Sequence, residues 1–275
     1  MNAAWTNRLG RWVLVAMTTL VIPRVGAHEF GDDVGDAAYC AKSIVLGSNY
    51  TGRVEIDIDQ DFFAFQATNS MKEYVVTVTT GTLWNASVSL ICPDGVCPIA
   101  DTNSVMTNSV RMSWIHVGPP ATYYVRVAGF AAFTTGTYSV VVSEQAFADQ
   151  DHDGMPDAWE KTYFGSTNQP ASGPGGDYDH DGVSNIDEFR AGTDPTNPNS
   201  CLRVTDILRP GGHEAVSWGA APYRSYSVEF ATNLSNGAWV PLGTVTNLQT
   251  TGLQHFDDYT SSSQPVRFYR IGCLY

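Results

Sequence analysis

The chain has 275 residues, with 28 acidic against 15 basic side chains and a formal net charge of −13. Lysine occurs only at Lys42, Lys72 and Lys161, so there is no basic patch to hold a nucleic acid or an anionic membrane, and the surface attracts cations instead. The length, with many Tyr, Val, Thr and Gly residues, points to more than one domain and a mainly β class.

Residues 1–27 read as an export signal. Arg8 and Arg11 precede the apolar run from Trp12 to Ile22, Pro23 breaks that run, and Val25, Gly26 and Ala27 offer small residues for cleavage before His28. The run is too short to cross a bilayer, and no Cys at the cleavage site argues for a lipid anchor. A retained N-terminal anchor is the alternative. Cleavage removes three arginines and leaves 12 basic against 28 acidic residues, a net of −16. The mature chain is expected to be secreted or at the cell surface, with no membrane insertion after cleavage. In an oxidising compartment Cys92 with Cys97, and Cys201 with Cys273, are possible disulfides that leave Cys40 over, and free thiols are the alternative.

Residues 28–146 read as strands. "EYVVTVTT" puts Tyr74, Val76 and Val78 on one face, "TYYVRV" puts Tyr123, Val125 and Val127 on one, and "TYSVVV" does the same with Tyr138, Val140 and Val142. Short alternating runs separated by Gly, Pro, Asp and Asn are the pattern of a β-sandwich. The succession "VEIDIDQDFFAFQA", "YVVTVTTG", "SVSLICPDG", "ATYYVRVAG" and "GTYSVVV" resembles the bacterial pre-peptidase C-terminal domain. That resemblance implies a jelly-roll-like sandwich attached to exported proteins, which aids substrate or surface binding. Asp57, Asp59 and Asp61 alternate along one run, as a solvated strand face or a further cation site.

Residues 147–200 carry a doubled motif, "DQDHDGMPDAWE" from Asp149 and "DYDHDGVSNIDE" from Asp177, 28 residues apart. Each has carboxylates at positions 1, 3 and 5, glycine at 6, Asp or Asn at 9 and Glu at 12, which is the spacing of an EF-hand calcium loop. The expected ligands of the first Ca2+ ion are Asp149, Asp151, Asp153 and Glu160, with the Met155 carbonyl and Asp157 directly or through water. Those of the second are Asp177, Asp179, Asp181, Glu188, the Val183 carbonyl and Asn185. His152 and His180 at position 4 should point outward.

A short helix is expected after each loop, one with Pro156 near its start and Gly165 at its end, the other running from an N-cap at Ser184 to a stop at Gly192. Trp159, Tyr163, Phe164, Ile186 and Phe189 are nearly all the core this segment has. That is too little to offset chain entropy, so metal binding becomes folding energy. "DQDHDGMPDAWEKTYFG" and "DYDHDGVSNIDEFRAGTDPTNP" resemble the bacterial relatives of thrombospondin type 3 repeats, which implies a calcium-stabilised spacer and nothing catalytic.

Residues 201–275 return to strand-like runs such as "HEAVSWGA", "SYSVEFAT" and "VRFYRIG". With Trp218, Tyr226, Glu229, Trp239, Phe268 and Tyr269 they resemble the small fibronectin-like sandwiches that follow such calcium modules. These aromatics are expected as core, with a sugar-stacking platform as the alternative. No zinc-protease helix, nucleophile elbow, P-loop or dinucleotide fingerprint occurs, so no catalytic residue is assigned. The expected architecture is two β-sandwiches joined in series by a small calcium-binding loop-helix module. The expected role is a non-enzymatic, calcium-rigidified spacer, adhesion or binding protein, with a glycan- or protein-binding accessory of an extracellular hydrolytic system as the alternative.

Overall fold

The computed structural model of the chain describes residues 33–56, 58–95, 98–103, 108–167, 171–247, 251–261 and 266–275. The expected export signal, Asp57 and Cys97 lie outside the described residues. The described residues are mainly β.

The first unit comprises β1 (Lys42–Ser43), β2 (Asn49–Val54), β3 (Gln60–Ala67), β4 (Lys72–Thr80), β5 (Ala86–Ile91), β6 (Pro98–Asn103), β7 (Ser109–His116), β8 (Ala121–Gly129) and β9 (Gly136–Gln145). They form one sheet in the order β1-β3-β8-β5-β6 and a second in the order β2-β9-β4-β7. Strand alternation decides which side chains face inward. Tyr74, Val76 and Val78 are wholly buried, and Tyr123, Val125, Val127, Tyr138, Val140 and Val142 join them in one cluster with Phe63 and Phe65. Fully burying one such side chain contributes about 1.5–3 kcal/mol, so this cluster is the main apolar store of the chain.

The same parity carries Asp61 inward, because it lies two residues before Phe63 on β3. Asp61 is fully buried and Asp59 nearly so; the Tyr138 hydroxyl donates to Asp61 across the sheets, and Asp59 accepts the Glu55 N–H at 2.7 Å. A solvated strand face is therefore the wrong reading of these two aspartates. Burial pushes the Asp61 carboxyl up to about 8.

The middle unit holds two short helices, α1 (Asp157–Phe164) and α2 (Asn185–Ala191). Gly165 closes α1 in the left-handed region, at φ 74, with its N–H on Lys161 O. The Ser184 hydroxyl caps α2 by accepting from the Asp187 N–H, and Gly192 ends it at φ 75. Trp159 lies 5.0 Å from Tyr163, 5.4 Å from Phe164 and 5.4 Å from Phe189 between ring centroids. Helices this short do not hold themselves in water, so their neighbours must.

The last unit comprises β10 (Val204–Leu208), β11 (Glu214–Ala220), β12 (Arg224–Ala231), β13 (Val240–Asn247), β14 (Gly252–Asp258) and β15 (Phe268–Leu274). Two three-stranded sheets, β10-β11-β14 and β13-β12-β15, enclose Trp218, Ala220, Tyr226 and Val228. Trp218 and Tyr226 are thus core residues. The units follow one another in sequence, yet the third also reaches the first, where the Tyr223 hydroxyl donates to Pro98 O at 3.4 Å.

Cys40, Cys201 and Cys273 carry free thiols. The expected pairing of Cys201 with Cys273 is thereby corrected, because the Cys273 thiol is directed at α2 and donates to Arg190 O at 3.2 Å. The pairing of Cys92 with Cys97 falls outside the described residues.

Candidate metal centre

Each acidic loop is folded by its own aspartates. Asp149 accepts the N–H of Asp153 at 3.1 Å on one oxygen and that of Gly154 at 3.1 Å on the other. Asp153 then accepts the Met155 N–H at 2.8 Å. The second loop repeats the scheme: Asp177 accepts from Asp181 at 3.1 Å and Gly182 at 2.9 Å, and Asp181 from Val183 at 2.9 Å. Position 1 therefore ties down positions 5 and 6, and position 5 ties down 7. Two left-handed residues separated by one aspartate make the bend, His152 (φ 60) and Gly154 (φ 90) around Asp153 in one loop and His180 (φ 66) and Gly182 (φ 95) around Asp181 in the other. Both histidines are exposed, as expected.

This wrapping brings carboxylate oxygens together. Asp149, Asp151 and Asp153 each place one within 4.8 Å of the others, and Asp177, Asp179 and Asp181 do the same. The position-12 glutamates complete the picture. Glu160 and Glu188 are 0% exposed. Both oxygens of Glu160 are buried without a hydrogen-bond partner, as are Oε2 of Glu188 and Oδ2 of Asp153, Asp179 and Asp181. Burial, with the charges of Asp153, Asp151, Asp157 and Asp149 behind it, pushes Glu160 up to about 7. Burial also raises Glu188 to about 7, against the pull of Thr193 Oγ1, which donates to it at 3.0 Å. A buried carboxylate with idle oxygens is costly unless a proton or a cation satisfies it. Those six oxygens all come from the two loops, and such a donor set fits a hard cation.

The position-9 side chains depart from the expected ligand set. Asp157 accepts from the Gln150 N–H at 2.8 Å and from Lys161 at 3.3 Å. Asn185 accepts from the Tyr178 N–H at 3.2 Å and donates to Ala171 O and Gly173 O, each at 3.0 Å. Asp157 and Asn185 thus brace position 2 of their loops, and Asn185 also pins the turn before its loop. Both stand at the first residue of a helix, where the side chain swings back along the incoming chain. Met155 and Val183 occupy position 7, with the Met155 side chain wholly buried.

Sequence reasoning passed over one surface feature. Trp84, Phe130 and Phe133 are 66%, 53% and 85% exposed, on two loops joined where the Phe130 N–H donates to Asn85 O at 2.9 Å. Their place outside the alternating strand runs was the available signal.

No family model matches the chain, and no curated protein does. Among solved structures, the pre-peptidase C-terminal domain of collagenase from Bacillus anthracis is similar over 38% of this chain and 94% of its own length, at 19% identity and a TM-score of 0.32. The periplasmic inhibitor of g-type lysozyme from Aeromonas hydrophila is similar over 38% of this chain and 96% of its own, at 14% identity and a TM-score of 0.28. Likenesses this slight decide nothing about the acidic loops.

Proposed function

We propose that residues 147–200 bind two calcium ions and that the filled loops hold the flanking sandwiches in a fixed arrangement, in an exported protein that is not an enzyme. The observation that carries this reading is Glu160, wholly buried with both carboxylate oxygens unpartnered amid four aspartates. When bound, calcium supplies a compact divalent charge that six to eight oxygens share, whereas magnesium demands a stricter octahedron. Asp149, Asp151, Asp153 and Glu160 would hold one ion with the Met155 carbonyl. Asp177, Asp179, Asp181 and Glu188 would hold the other with the Val183 carbonyl.

The chain's own part is to keep the carboxylates close before the ion arrives. Main-chain N–H groups hold the aspartates, and the rings around Trp159 seat the two helices against each other. Sites of the extracellular class bind at roughly 10⁻⁴–10⁻³ M, which millimolar calcium fills. Limited proteolysis tests the reading: cleavage between residues 147 and 200 should be slow in calcium and fast in chelator. Equal cleavage in both sinks it.

The exposed trio Trp84, Phe130 and Phe133 favours a second reading, in which the first sandwich stacks a glycan or grips a surface protein. Binding on a glycan array that survives replacement of Trp84 and Phe133 by Ala would remove it.

A further inference from the structure

We propose that Arg224 is a positioning residue for the second calcium site, so that filling this site and docking the C-terminal sandwich are one coupled equilibrium. The inference rests on the calcium reading above. Glu188 stands on α2, and the last carbonyls of a helix have no partner within it. Arg224, at the start of β12, supplies one from another unit. Its Nε donates to Arg190 O at 2.7 Å and its Nη2 to Phe189 O at 3.4 Å. A cation at a helix C-terminus is favoured by the helix dipole, and a guanidinium fork spans two carbonyls where an ammonium meets one.

Further contacts from the same sandwich end on the same helix. The Cys273 thiol joins Arg224 on Arg190 O, and the Arg190 guanidinium lies 4.2 Å from the centre of the Tyr275 ring. Gly192 sits so close to Ala221 that a Cβ there would approach the Ala221 Cβ to 2.7 Å. The next residue, Thr193, is the one that donates to Glu188. A continuous path therefore runs from the docked sandwich to the carboxylate. A seven-residue helix frays without such support, and the ion must then bear the ordering of Glu188. Both helices close on their own left-handed glycine, but the donations from the C-terminal sandwich fall on α2, so the first site differs. By linkage, whatever docking does for calcium, calcium does for docking.

The variants E160Q and E188Q each leave one loop complete, so calorimetric calcium titration of each reads a single site. Adding R224A to E160Q should weaken binding about tenfold, the scale of one lost charge-assisted hydrogen bond. Adding it to E188Q should leave affinity within about twofold, and R224K should fall between parent and R224A. Calcium should also slow amide exchange at residues 221–226 in E160Q and not in E160Q/R224A. Unchanged affinity in E160Q/R224A overturns the coupling, and equal weakening of both sites overturns it too, because that is loss of the whole module. If the unsubstituted chain takes up no calcium, the calcium reading fails and the coupling with it. Uptake of two ions with no effect of R224A removes the coupling alone.

Discussion

Replacing Glu160 by Gln should change stability in opposite directions with and without calcium. In the ion-free protein the carboxylate is fully buried with neither oxygen bonded, and burial with four nearby aspartates lifts it from 4.5 to about 7. At 1.36 kcal/mol per unit, the ionised group costs at most about 3 kcal/mol. The loop borders water, and screening reduces this to about 1–2 kcal/mol, which Gln recovers. With about 100 mM calcium and a site of 10⁻⁴–10⁻³ M, occupancy stabilises by about 2.7–4.1 kcal/mol, more than Gln recovers, and Gln forfeits it by removing the bidentate ligand.

Thermal unfolding at pH 8 should therefore place the variant below the parent in calcium and above it in chelator. A carboxyl raised in the fold is harmless below its unfolded value and costly above its folded one. The chelator-side gain should accordingly shrink towards zero at pH 5. The same order of melting in both media would refute the reasoning, since a purely structural Glu160 cannot change sign with calcium.

Asp61 gives a second pH signature, because its folded value of about 8 lies above the unfolded 3.8. The first sandwich should lose up to about 5 kcal/mol between pH 4 and pH 8, and D61N should flatten that slope in denaturant titrations at pH 5 and pH 8; an unchanged slope counts against burial as the cause. N185D separates brace from ligand. It loses the donations to Ala171 O and Gly173 O, so the module should lose about 2–4 kcal/mol and calcium should bind no tighter, whereas a tenfold gain in affinity would restore Asn185 as a ligand. W218A removes a fully buried ring from a small core and should cost about 3–5 kcal/mol, read as loss of the C-terminal transition in calorimetry while the first sandwich melts unchanged.

Much of the loop and helix geometry of the candidate site was legible because its signals are local. Glycine at position 6, carboxylates at alternate positions and Pro156, Gly165, Ser184 and Gly192 at helix ends each act within a few residues, and the structure has both helices where these signals put them. The inward faces of β4, β8 and β9 followed from strand parity for the same reason. The same parity, applied to Asp61 from Phe63, would have buried it; the acidic side chain outweighed the pattern in the sequence reading. The position-9 side chains escaped because Asp157 and Asn185 are ligand types whose actual partners, Gln150 N–H and Ala171 O among them, are set by how the helix starts rather than by spacing. Arg224 and Cys273 were out of reach altogether. Their partners lie 34 and 83 residues away, and nothing local marks a residue that caps another unit's helix.

Two calcium ions are expected, each dependent on its position-12 glutamate. Isothermal titration of the full chain with calcium should give two ions bound to the parent, one to E160Q, one to E188Q and none to the double variant at millimolar calcium. No heat of binding from the parent, or two ions still bound after both glutamates are replaced, would contradict it.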